Sequence, residues 1–327
     1  MLNETTCPDS IGKSPTCQGK IKNILGILLF LIVSTATAGC RYENYNFDDR
    51  NLKTLHEKTF LISPGKELKL DVSMGDIMVT GWDKEEVYIK VLGNEKAEDK
   101  IEFEFNADNN LVEVIAKKEG SVFNWFGENG ISLRFEIKVP NRFNNKVYTS
   151  GGDIKISDIT GTNTFKTSGG DVWVKKTKGE LKVSTSGGDI NLDENKGNIS
   201  ASTSGGDIVA KNFDGDLYAS TSGGDIKLKG TNSKIEAETS GGNIFLEYRG
   251  ENKGINLSTS GGDIYIKVPA DFNANVKLAS SGGDVSTEIG VNNVKKVSSH
   301  KLEGELNKGG SPLNATTSGG DVVVSKL

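Results

Sequence analysis

From about residue 150 onward, apolar and polar positions alternate in short bursts that recur on a fixed step. After each Ser-Gly-Gly comes Asp or Asn, then an apolar, a variable and a second apolar residue. Examples are Asp153-Ile154-Lys155-Ile156, Asp189-Ile190-Asn191-Leu192 and Asp263-Ile264-Tyr265-Ile266. A second alternating run precedes each Ser-Gly-Gly, with Leu181 and Val183, Ile199 and Ala201, Leu217 and Ala219, and Ile235 and Ala237 on one parity. Period-two alternation predicts short strands that bury one face. Each unit therefore holds two strands joined by two turns.

Ser-Gly-Gly-Asp/Asn begins at Ser150, Ser168, Ser186, Ser204, Ser222, Ser240, Ser260, Ser281 and Ser318; the first six copies are 18 residues apart and the later gaps are 20, 21 and 37. A gap of 37 is close to two units, so a degenerate unit is expected around Ser299 to Gly310. A single unit cannot cover its own apolar edge. Stacked units can, because each strand pairs with its copy in the next unit. The fold class expected is all-β, a single-chain right-handed β-solenoid of 18-residue coils. Ten coils at strand spacing would give a rod of roughly 45–50 Å. The corners are Gly151, Gly152 and Asp153; Gly169, Gly170 and Asp171; Gly187, Gly188 and Asp189; Gly205, Gly206 and Asp207; Gly223, Gly224 and Asp225. Their expected role is structural, since glycine adopts turn angles that other residues resist. Gly161, Gly179, Gly197 and Gly215 mark the second turn. The same parity turns Thr149, Thr167, Thr185, Thr203, Thr221, Thr239, Thr259 and Thr317 inward, with hydroxyls placed to hydrogen-bond along the rod.

Residues 58–140 lack the Gly-Gly corners yet still alternate, as in Glu67-Leu68-Lys69-Leu70-Asp71-Val72 and Glu86-Val87-Tyr88-Ile89-Lys90-Val91. They predict an antiparallel meander that caps the solenoid of residues 141–327. Ser73-Met74-Gly75-Asp76-Ile77 has the form of a decayed corner, which would extend the rod into this part. Val139-Pro140-Asn141-Arg142-Phe143-Asn144 is echoed by Val268-Pro269-Ala270-Asp271-Phe272-Asn273. Proline interrupts strand pairing, so both read as loops where the coil is entered and later modified.

The N-terminus changes the picture from a rod to an exported rod. Lys13, Lys20 and Lys22 precede the apolar run Ile24 to Val33, and small residues follow up to Cys40. That is the order of a secretory signal over residues 1–39, and the run is too short for a spanning helix. Ala36-Thr37-Ala38 fits ordinary cleavage before Gly39. Thr37-Ala38-Gly39-Cys40 resembles a bacterial lipobox, although Thr37 stands where Leu is commonest. The position of Cys40 favours the lipobox, with Cys40 as the lipidated first residue and residues 40–57 as a polar tether. The three cysteines are Cys7, Cys17 and Cys40, so the body has no disulfide framework. Net charge is -5 with both signs mixed, and no basic footprint for nucleic acid exists.

Thr-Ser-Gly-Gly-Asp-Ile copies at 18-residue spacing resemble the bacterial putative-adhesin family with β-strand repeats, whose function is unknown. The stretch from Leu302 to Leu313, followed by Thr317-Ser318-Gly319-Gly320-Asp321-Val322, is similar to that family's closing segment. The resemblance covers about residues 60–327. It implies a right-handed β-solenoid, a surface or envelope location, and no catalytic residues to carry over.

The strongest chemical candidate is the column of Asp153, Asp171, Asp189, Asp207, Asp225, Asp263, Asp284 and Asp321, with Asn243 replacing one member. Calcium β-rolls also use 18-residue coils, but with Gly-Gly-x-Gly-x-Asp. Stacked carboxylates repel, which favours bound cations, but too few oxygens converge here for a full calcium shell; no cofactor is expected, calcium is the disfavoured alternative, and each Asp should bond the backbone of its own turn. His56 and His300 are far apart, with no cysteine partner, and Arg249 is the one arginine in the regular coils. Catalysis is not expected. Trp125 and Phe126, in the apolar stretch Val122 to Gly127, are candidate binding residues or a folded-back cap, and Trp173, Phe245 and Tyr265 have outward parity. The function expected is an envelope or surface lipoprotein, held to the membrane by its lipid, acting as an adhesin or interaction module toward a surface protein or glycan. The alternatives are a structural or stress-linked envelope lipoprotein and, more remotely, a carbohydrate-active β-helix enzyme.

Overall fold

The computed structural model describes residues 52–118 and 130–327. Cys40, the signal and most of the expected tether, and Trp125 and Phe126 lie outside the described residues. Two long sheets dominate, one of 13 strands and one of 14. Strands that follow a corner form sheet 1, and strands that precede it form sheet 2. Register is like on like. Val172 pairs with Ile190, Ile190 with Ile208 and Ile208 with Ile226 in sheet 1, and Leu181 pairs with Ile199 and Ile199 with Leu217 in sheet 2. Ile190, Ile208, Ile226, Ile244 and Ile264 are each fully buried in one column. Burial of each such side chain stabilises by about 1.5–3 kcal/mol. Facing them, Ala201, Ala219 and Ala237 keep the interior thin, so the two sheets can approach.

The front of the chain departs from the expected antiparallel meander. Glu67–Val72 and Asp76–Trp82 pair parallel on both sides, in sheet 2 with Leu111–Lys118 and Asn144–Thr149, and in sheet 1 with Leu133–Pro140 and Ile154–Ser157. The reason is parity: Leu68, Leu70, Ile77 and Val79 continue the buried columns, so these residues form a true coil around the decayed corner. Antiparallel pairing at this end is confined to the outermost strands, Lys53–Leu61 on Glu86–Gly93, Glu86–Gly93 on Leu133–Pro140, and Ile101–Ala107 on Leu111–Lys118. A strand therefore begins at Lys53, inside the stretch expected as tether. Among the described residues eleven coils stack in parallel, which at strand spacing is about 50 Å.

The far end also departs from the spacing argument. No degenerate coil fills residues 299–310. Val291–Ser298 and Lys301–Leu306 form an antiparallel hairpin that pairs onto Ala274–Ser280. The last coil, Pro312–Thr317 with Val322–Lys326, then turns back and inserts between two earlier ones. It pairs with Ile255–Thr259 and Ile264–Val268 on one side, and with Ala274–Ser280 and Val285–Thr287 on the other. The two Val-Pro loops now have a common explanation. After Pro140 the chain steps over the coil of residues 67–82; after Val268 it steps over the slot that residues 312–326 fill. Each loop advances two coil spacings where an ordinary turn advances one. Each anchors a buried aromatic, Phe143 or Phe272.

The second turn holds a conformation that the sequence hides. Asp158, Lys176, Glu194, Asn212 and Asn232 all have positive φ, between 50° and 61°. A left-handed residue other than glycine costs about 1–2 kcal/mol, and glycine's extra flexibility costs about 0.5–1 kcal/mol in return. Lys176→Gly is therefore expected to stabilise the rod by about 0.5–1 kcal/mol, read as a higher midpoint in urea.

Candidate functional site

The corners are the positions the sequence marks most strongly. Every predicted inward threonine is buried, from Thr167 and Thr317 at 0–1% to Thr203 at 7%. Apart from Thr149, whose hydroxyl donates to the Gly151 carbonyl of its own corner at 2.9 Å, the hydroxyls bond along the rod, though to backbone and not to one another. Thr203 Oγ1 donates to the Gly188 carbonyl of the preceding coil at 2.9 Å and accepts from Gly206 N at 3.4 Å. The aspartates also reach across coils. Asp171 N donates to Asp153 Oδ1 at 2.9 Å, Asp189 N to Asp171 Oδ1 at 2.7 Å, and Asp225 N to Asp207 Oδ1 at 2.8 Å. The expectation that each Asp bonds its own turn is thus corrected: strand spacing puts the carboxylate directly beside the next coil's N–H. Asn243 fits the ladder because its amide oxygen accepts equally well, from Asp263 N at 2.8 Å. Among the described residues no group of three metal-ligating side chains converges. The corner residues are brought together as a structural ladder.

Burial, with the charges of Asp76 and Asp171 adding, pushes the Asp153 carboxyl above its ordinary range despite the hydrogen bond from Asp171 N. A carboxyl whose folded pKa is raised stabilises most when protonated, and that contribution is lost as pH climbs through the raised value. Asp153→Asn keeps the acceptor and removes the charge. It should stabilise the protein at pH 7, and the gain should vanish at pH values where the wild-type carboxyl is protonated; thermal melts across pH check this.

The outer face of sheet 1 carries the outward aromatics named from sequence. Phe245 and Tyr265 stack with ring centres 5.2 Å apart and planes at 11°, and Lys155 lies 5.2 Å from the Trp173 ring. A groove of about 260 Å³ runs beside Phe245 and Tyr265. Three of its charged groups, Lys227, Lys229 and Glu247, are occupied within the fold, while Lys211 and Lys267 have no such partner among the described residues. Lys227 bridges Asp207 at 3.1 Å and Asp225 at 3.4 Å, Lys229 meets Glu247 at 3.1 Å, and the Tyr265 hydroxyl donates to Asp263 at 2.8 Å. Burial draws the Lys227 pKa down, but the hydrogen bond and charge of Asp207 together with Asp225 outweigh it and hold the ammonium above its ordinary value.

The outer face of sheet 2 is different, and sequence reasoning missed it. Thr164, Lys182, Ser200, Tyr218 and Glu236 stand in register on successive strands. Ser200 is short between the long Lys182 and Tyr218, so the column dips and a groove of about 390 Å³ opens. Tyr218, 39% exposed, is the most exposed aromatic among the described residues. Glu180, Asp216 and Lys234 line the same groove from the neighbouring column. Among the described residues, the side chains of Thr164, Glu180, Lys182, Ser200, Tyr218 and Glu236 make no hydrogen bond or ion pair with one another or with the rest of the fold. The signal available in sequence was outward parity at Tyr218 combined with the drop in size at Ser200.

The two histidines are at opposite ends. His56, on the edge strand Lys53–Leu61, packs edge-on against Phe103 at 4.7 Å and Phe105 at 5.3 Å. His300 Nδ1 lies 2.7 Å from the Gly283 carbonyl and 3.8 Å from Asp284 near the last coils. Arg249 pairs with Glu247 at 3.2 Å.

Stacked two-strand coils with a laddered glycine corner define a β-solenoid protein. The chain belongs to the Toastrack DUF4097 family, whose model matches residues 65–325. Solved structures that the chain resembles include a putative adhesin from Bacteroides fragilis, 13% identical over 85% of this chain and 98% of that one, with a TM-score of 0.42. Another is a putative lipid binding protein from Parabacteroides distasonis, 15% identical over 85% of this chain and 98% of that one, with a TM-score of 0.41. A putative adhesin from Parabacteroides merdae is 10% identical over 85% and 97%, with a TM-score of 0.39. No curated protein matches the chain.

Proposed function

We propose that the chain is an envelope lipoprotein, held to its membrane through Cys40, whose rod serves as a non-catalytic interaction module of the adhesin type. The observation that carries this reading is the groove on the sheet 2 face: Thr164, Glu180, Lys182, Ser200, Tyr218 and Glu236 are polar, stand in registered columns and are unused by the fold. Polar groups left over after a fold is complete are free for a partner, and a rod some 50 Å long presents them in a regular array. The leader-like N-terminus and Cys40 support the location.

Deletion of the gene tests the role. Attachment of cells to their native surface should fall severalfold, with growth and resistance to detergent unchanged, and Cys40→Ser should release the protein from membranes. Normal attachment with a leaky envelope would instead support a structural lipoprotein.

A further inference from the structure

We infer that the sheet 2 groove binds an uncharged, linear glycan laid along the rod axis. This deepens the proposed interaction role and rests on it. The groove crosses the strands Thr160–Lys166, Lys178–Ser184, Ile199–Ser202, Leu217–Ser220 and Ile235–Thr239, a run of about 19 Å at strand spacing. Such a trough suits an extended polymer better than a compact small molecule.

The lining chemistry selects the polymer. Hydroxyls at Thr164, Ser200 and Tyr218 can donate and accept, Lys182 donates, and Glu180 and Glu236 accept. A chain of sugars, with both donors and acceptors on every residue, matches that mixture. Tyr218, standing beside the Ser200 dip, offers a ring against which an apolar sugar face can pack. A polyanion is disfavoured, because Glu180, Asp216 and Glu236 outnumber Lys182 and Lys234 in the lining. An extended peptide has no way to add as a strand here, since both edges of each of these strands are already paired. Nor does the floor offer an apolar anchor pocket: Leu181, Ile199 and Leu217 beneath it are at most 4% exposed.

On the opposite face Lys227, Lys229 and Tyr265 are tied to Asp207, Glu247 and Asp263. A ligand that engaged those three groups would have to break their contacts first, leaving Lys211 and Lys267 as the free polar groups of that groove. The sheet 2 groove has no such contacts to break.

The test uses the full-length protein in detergent micelles, an array of defined neutral oligosaccharides, polyuronate chains as the anionic arm, and vesicles of anionic lipid as the membrane arm. Binding to one or more neutral oligosaccharides is expected. Tyr218→Ala should weaken it about tenfold, and Ser200→Trp, which fills the dip, should abolish it. Phe245→Ala on the other face should leave it unchanged, and Tyr218→Ala and Ser200→Trp should keep the wild-type melting midpoint. Absence of neutral-glycan binding, preference for polyuronate or vesicles, or binding indifferent to Ser200→Trp would each overturn the inference. Cell attachment separates its failure from failure of the interaction role. Attachment that is lost on gene deletion but kept with Ser200→Trp removes the groove assignment alone; attachment unaffected by deletion removes the role itself.

Discussion

Gly188→Ala should destabilise the rod by about 3–5 kcal/mol, whereas Gly187→Ala, one residue earlier in the same corner, should change stability by about 0.5 kcal/mol or less. The two glycines look equivalent in sequence and are not equivalent in space. A Cβ on Gly188 would collide with the Gly170 carbonyl oxygen of the preceding coil. A Cβ on Gly187 would come no nearer than 3.7 Å to any neighbouring atom, an ordinary contact. The collision at Gly188 is with backbone, so no rotamer change relieves it. The Gly170 carbonyl is also the acceptor for Thr185 Oγ1 at 2.9 Å, so moving it breaks a part-buried hydrogen bond too. The same contrast recurs at Gly205 and Gly206, and at Gly223 and Gly224. Because a solenoid opens locally, denaturant midpoints should be read together with amide exchange on the coils of residues 160–231. Equal effects at Gly187 and Gly188 would mean that the coils do not stack in this register.

Much of this was legible in the chain because an 18-residue period fixes which residues lie above one another. Ile190 over Ile208, and the burial of Thr185 and Thr203, follow from period and parity alone. Period does not say which coil is whose neighbour. Asp321 carries the same corner as its fellows, yet it sits between Asp263 and Asp284, accepting from Asp284 N at 2.7 Å and donating to Asp263 at 2.8 Å. Every coil offers the same edge, so sequence similarity leaves the order of stacking open. The proline loops were the local clue, and they became readable only once the skipped coils were seen. The left-handed residues were hidden for another reason: Lys176 and Glu194 have no preference for that conformation, and tertiary pairing imposes it. The groove was hidden because it depends on relative side-chain size across three strands, Lys182, Ser200 and Tyr218, and not on any one motif.

Removal of Ser311–Leu327 should unfold more than the residues removed. Leu313, Ala315, Val322 and Val324 are fully buried in the slot left by the two-coil step. Without them, Val285–Thr287 loses its one strand partner, and Ala274–Ser280 keeps only the antiparallel contact with Lys301–Leu306. The three-strand remnant would have its apolar face, Val276, Leu278 and Leu302, uncovered, and a sheet must bury that face against another element to be stable. Residues 274–306 should therefore lose amide protection together, becoming the preferred site of proteolysis, while the coils between Ile154 and Arg249 stay protected. The expected pattern is a cooperative loss confined to one end. The informative alternative is that the remnant slides onto Ile255–Thr259 and Ile264–Val268 and pairs with them directly. Amide protection would then survive the truncation, and the loop from Pro269 to Asn273 would have to contract by a full coil. Phe272 resists that contraction. It is buried against Tyr248 with ring centres 5.9 Å apart, and the Tyr248 hydroxyl is itself held by Ser233 N at 2.7 Å and the Glu251 carbonyl at 2.6 Å. The loop is pinned to the coil behind it, so the slot should stay open when its occupant is gone.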